Sequence, residues 1–205
     1  MRLPYVRSLG QTDCAGKSPV TFRETVPRIL IAGIGNILLQ DDGFGPQAIA
    51  RLQAEYEVPP EVELLDIGTP TLDFVDYLVG RDVVILLDAL SCGGQPGEVL
   101  TFEQAQLRDR LPGMRLSAHQ PCLSETLFAA ESADIHFRHL VLIGVVGCEF
   151  EVGTQMGSEV TRALPAAMAL VCEVLANQGV TIRKRETPIA QELWWSNQPA
   201  SDCTL

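Results

Sequence analysis

The chain has 205 residues, of which 46% are hydrophobic and 20% charged, and its formal net charge is −11. Those values describe one globular domain long enough to bury a full core, and they exclude a disordered chain. The acidic balance speaks against nucleic-acid binding, and no apolar stretch reaches the roughly 18 residues that a membrane span needs.

The N-terminal segment lacks the apolar centre of a secretory signal, so a cytoplasmic protein without membrane insertion is expected. The six cysteines are scattered, with no C-x-x-C pair and no zinc-finger spacing. In a reducing compartment they read as buried small side chains or free thiols.

Residues 1–26 are expected to form a flexible arm, 27–183 an α/β domain and 184–205 a polar tail. A first strand is predicted over Arg28–Gly35. It runs into GIGNILLQDDGFG, where a glycine turn is followed by Asp41 and Asp42. A helix should follow, with Ile49 and Leu52 facing inward, and Pro59 and Pro60 end it. The second strand, Val62–Gly68, closes on Asp66. Thr71–Val79 reads as a short amphipathic helix through Leu72, Val75 and Leu78. The third strand, Asp82–Leu90, is almost wholly apolar before Asp88, which marks a strand buried on both faces of a mainly parallel sheet.

A loop follows, then a short edge strand at Val99–Phe102. Ser117 is placed to cap a helix over about 121–130. Leu140–Val146 is another core strand, Gly147–Gly157 a long irregular loop, and the last helix spans about 159–176. The alternation predicts a three-layer α/β/α sandwich with a mainly parallel sheet of about five strands. The pair Trp194-Trp195 either packs on the domain surface or anchors a partner.

In an open α/β sheet, ligands bind at the carboxyl ends of the strands, at the point where strand order reverses. Asp42 follows the first strand and Asp88 ends the third. His119 sits in LSAHQP, just before a helix. Adjacent carboxylates at such an edge suit a cation or a proton-transfer site better than a phosphate, which bare backbone N–H groups usually meet. Two carboxylates and an imidazole form a three-ligand set with open positions, suited to zinc or nickel. Asp41 reads as a charge at a helix N-terminus.

Other constellations fit less well. Gly33-x-Gly35 with Asp66 resembles a dinucleotide fingerprint, but the third glycine position holds Leu38. Cys122 or Ser124 with His119 lacks a nucleophile-elbow motif. No H-E-x-x-H is present, and His136 and His139 read as surface or edge residues.

Taken in order, GIGNILLQDDGFG, LLDIGT, VVILLDAL and SAHQ resemble the hydrogenase maturation proteases of nickel-iron hydrogenases, over about residues 28–179. The resemblance implies an endopeptidase of α/β sandwich fold. It would remove a C-terminal extension from a hydrogenase large-subunit precursor after nickel insertion. Matched by motif, the metal-contacting residues implied are Asp42, Asp88 and His119, with Asp66, Gly68 and Thr69 shaping a substrate loop. Nickel would arrive with the precursor, and no organic cofactor is implied. The partner expected is that precursor, and the chain itself is expected to be a monomer. Two departures stand out. Ile67 occupies a position where the family often has glycine, and GVVGCEFEVGTQMG differs from the family wording. A nucleotide-binding module and a non-catalytic chaperone of the immature large subunit are the alternatives.

Overall fold

The computed structural model describes residues 27–71, 73–110, 120–191, 193 and 195. Its centre is a five-stranded sheet. β1 (Ile29–Ile34), β4 (Val83–Leu90) and β6 (His139–Val146) are apolar nearly throughout because helices cover both of their faces. β3 (Val62–Gly68) flanks β1 and is only partly buried. β5 (Val99–Glu103) closes the other edge. The order is β3-β1-β4-β6-β5, parallel except for β5, which pairs antiparallel with β6.

Side-chain alternation splits the core into two layers. On one face, Ile29, Ile31, Ile85, Leu87 and Ile143 pack with α1 (Phe44–Glu55) and α5 (Ser158–Asn177). On the other, Leu30, Ala32, Leu86 and Leu142 meet α2 (Phe74–Leu78), α3 (Gln104–Arg110) and α4 (Gln120–Ser132). Each fully buried side chain of this kind contributes about 1.5–3 kcal/mol relative to exposure. The three-layer sandwich expected from sequence is therefore the observed fold.

The structure adds elements that periodicity does not reveal. α3 follows β5 directly, with no breaker between them. β2 (Tyr56–Glu57) and β7 (Arg183–Lys184) form a two-residue antiparallel ladder outside the main sheet. The helix predicted over 71–79 is described as the shorter α2, and Leu72 lies outside the described residues. So do the N-terminal arm, Ser117 and Trp194. Among the described residues, no helix is long and apolar enough to cross a membrane.

Candidate active site at the carboxyl edge of the sheet

The chain leaves β1, crosses through α1 to β3 on one side, then crosses through α2 to β4 on the other. The carboxyl ends of β1 and β4 therefore flank the point of reversal, where an open sheet leaves a crevice.

The glycines of the first motif let an acidic turn lie close against those ends. Gly35 has φ +138°, and a Cβ there would fall 1.8 Å from the Asp42 carbonyl oxygen. A Cβ on Gly45 would come within 2.2 Å of Ile34 O and 2.5 Å of Leu87 O, backbone atoms of two strands. Only hydrogen at these positions allows the one-turn 3-10 helix Gln40–Gly43 and the start of α1 to approach so closely. Residues 36–43 intervene between the glycine pair and α1. The helix thus does not open directly from the turn, as a dinucleotide fold requires.

Asp42 is 1% exposed, and its Oδ2 accepts the Asn36 N–H at 2.8 Å. That bond fixes the carboxylate against the motif's own backbone. Asp88 is likewise 1% exposed and pairs in register with Gly144 of β6, one residue beyond the Gly33–Leu87 pairing of β1 with β4. The two aspartates named from the sequence are thus buried in neighbouring elements, Asp42 in the turn beyond β1 and Asp88 near the carboxyl end of β4, which pairs with β1. The third, His119, lies outside the described residues, where it immediately precedes α4 in sequence. Among the described residues, no group of three His, Cys, Asp or Glu is arranged to hold a metal.

Asp41 has a different task. It is fully buried and lies in the first turn of the 3-10 helix, but its carboxylate reaches across to the loop 147–157. Oδ2 accepts the N–H groups of Cys148 and Glu149, both at 2.9 Å, and Oδ1 accepts that of Gly157 at 2.8 Å. With both carboxylate oxygens bonded to that loop, Asp41 is a clamp that orders the chain entering α5.

The second motif is tied to the first. Gly35 N–H donates to Gly68 O at 2.9 Å. Asp66 Oδ1 accepts the Gly68 N–H at 2.9 Å, a turn contact, and Gly68 carries φ +62°. The left-handed conformation therefore falls on a glycine, and Ile67 is left to pack against the α2 and α4 layer. Asn36, Asp66, Gly68, Thr69 and Trp195 line a cavity of ≈ 270 Å³ beside the Asp42 turn. Asn36 and Trp195 are not among the site residues read from the sequence. The position of Asn36 directly after the glycine pair is the only signal for it.

The histidine readings separate. His139 begins β6, at the opposite end of the strand, between Glu103 (2.8 Å) and Gln178 (3.3 Å). His136 is exposed and meets Asp134. Side chains of Cys122 and Ser124 lie outside the described residues. Two other cysteines near this edge have thiols shifted away from the thiolate form. Desolvation, then the charges of Asp41, Glu149 and Glu159, push the Cys148 thiol up. Desolvation and Glu98 do the same to Cys92. A raised thiol carries less of the nucleophilic thiolate at neutral pH.

Known proteins agree with this architecture. The family model for hydrogenase maturation proteases matches residues 46–174. The chain is 36% identical over 165 residues to the hydrogenase expression/formation protein HupD of Bradyrhizobium diazoefficiens, covering 80% of this chain and 86% of that protein. It is 30% identical over 160 residues to the hydrogenase 2 maturation protease of Escherichia coli K12, covering 78% and 97%. The solved structure of the hydrogenase maturating endopeptidase HybD from E. coli superposes with a TM-score of 0.73 at 29% identity, over 77% of this chain and 98% of that one. With two buried aspartates at the switch point, the sandwich around them and a matching family sequence, the chain belongs to the hydrogenase maturation protease family.

Proposed function

We propose that this protein is the endopeptidase that removes the C-terminal extension of a nickel-iron hydrogenase large-subunit precursor after nickel has been inserted. The family is one of peptidases that act in hydrogenase maturation, which supports hydrolysis of a peptide bond. The observation that carries the finer reading is the pair Asp42 and Asp88, each 1% exposed, one in the turn that follows β1 and the other near the carboxyl end of the adjacent β4.

Two carboxylates with the imidazole of His119 make a donor set that accepts divalent nickel while leaving positions for substrate. In this reading the nickel is part of the substrate, and the three residues recognise it there. A precursor without nickel then lacks the anchor that positions its scissile bond, which makes processing a checkpoint on metal insertion. A divalent ion beside that bond supplies carbonyl polarisation or a more acidic water. Asp42, held by the Asn36 N–H, and Asp88 are the carboxylates available as general base. Asp41 is excluded from these roles by its contacts to the 147–157 loop. The protein acts as a monomer in the cytoplasm, and no organic cofactor takes part.

The test is mass spectrometry of a cognate large-subunit precursor incubated with the purified protein. Loss of a C-terminal peptide from the nickel-loaded precursor alone is the expected result. Binding without any loss of mass would identify a holding chaperone and overturn the proposal.

A further inference from the structure

The C-terminal segment runs back along α1. Arg185 N–H donates to Glu55 O at 2.7 Å and Ile189 N–H to Ala54 O at 2.9 Å, while Gln191 Nε2 meets Gln53 Oε1 at 3.4 Å. The first two bonds satisfy carbonyls of the last turn of α1, which a helix cannot satisfy internally. This direction carries Leu193 and Trp195 toward the start of α1, next to the candidate active site. Two cavities of ≈ 280 and ≈ 270 Å³ adjoin there and share Pro46, Asp66 and Trp195. The outer cavity has Leu193 and Ile49 in its walls, and the inner one ends at Asn36, the donor to Asp42.

We propose that the C-terminal segment forms one wall of the substrate groove. In it, Trp195 and Asp66 select a lysine or arginine side chain of the precursor's C-terminal extension. The proposal rests on the endopeptidase reading above. Continuity with the Asp42 turn makes the cleaved peptide the natural occupant. The lining sets its chemistry. Asp66 supplies a carboxylate that is exposed despite its bond to Gly68, and Trp195 supplies an aromatic ring in the same walls. A carboxylate beside an indole suits a cationic head. Ile49 and Leu193 suit the methylene stem of a long basic side chain. The net charge of −11 adds a general attraction for such a peptide.

Kinetics of processing test this, using nickel-loaded precursor and a second precursor whose extension has lysine and arginine replaced by glutamine. Trp195→Ala is expected to raise KM about tenfold with kcat changed less than twofold, and Trp195→Phe to restore most of the loss. The glutamine precursor should raise KM on the native protein by a similar factor and add little on Trp195→Ala. Native KM for both precursors on Trp195→Ala would overturn the proposal while leaving the endopeptidase reading intact. Faster processing by a chain ended after Trp195 would also overturn it, since the protein's own last residues would then be the occupant. A native protein that never shortens the precursor would overturn both readings.

Discussion

Two neighbouring residues of one chemical type divide the labour at the site. Asp41 and Asp42 are both buried, yet one orders a distant loop and the other is held in the turn beyond β1 by the Asn36 N–H. Substitutions should separate them cleanly. Asp42→Asn, Asp88→Asn and His119→Ala are expected to cut processing at least about a hundredfold, the scale of losing one group positioned for the transition state. Thermal unfolding should move little in Asp42→Asn, because the amide oxygen still accepts the Asn36 N–H. Asp41→Ala should instead cost about 3 kcal/mol in denaturant unfolding, because three backbone donors lose a charged acceptor. An Asp41→Ala protein of native stability would show that water replaces the clamp.

At the scale of elements, the β1–α1 connection is the most constrained part of the fold. Its glycines serve close packing of backbone on backbone, a different use from cradling a phosphate. Gly45→Ala should therefore destabilise by about 3 kcal/mol or more, because its Cβ would meet backbone of both β1 and β4, which cannot yield as a side chain can. Chemical denaturation measures this directly. The same substitution at Gly93, where a Cβ meets nothing within 4 Å, provides the control.

At the scale of the whole molecule, the polar segment after Ile182 is fastened to the domain at Glu55. Burial opposes ionisation of Glu55, but Arg51 at 2.6 Å and Lys184 at 3.2 Å outweigh it, so the carboxyl is held below its usual value. A carboxyl depressed in the folded state stabilises above its unfolded pKa, and that contribution fades as pH falls through the folded one. Acidification below the ordinary glutamate range, or Glu55→Gln at neutral pH, is thus expected to cost about 0.5–1 kcal/mol. Amide hydrogen exchange at Arg185 and Ile189 should quicken before the central strands change. Uniform exchange across β1 and the segment would contradict a separately fastened tail.

The sequence alone determined the three central strands, because a strand covered on both faces must be apolar along nearly its whole length, and β1, β4 and β6 are. It also determined which acids follow those strands, and hence Asp42 and Asp88 as candidates. It did not reveal α3 or the β2–β7 ladder, since elements bounded by no breaker, or only two residues long, leave no period to read. Nor did it settle the task of Asp41, since the donors that occupy it lie more than a hundred positions away. Strand order, and with it the nearness of β1 and β4, comes from long-range pairing. So does the return of Trp195 to the site, which depends on α1 offering unpaired carbonyls at its far end. Those contacts join residues remote in the chain, and only the folded structure brings them together.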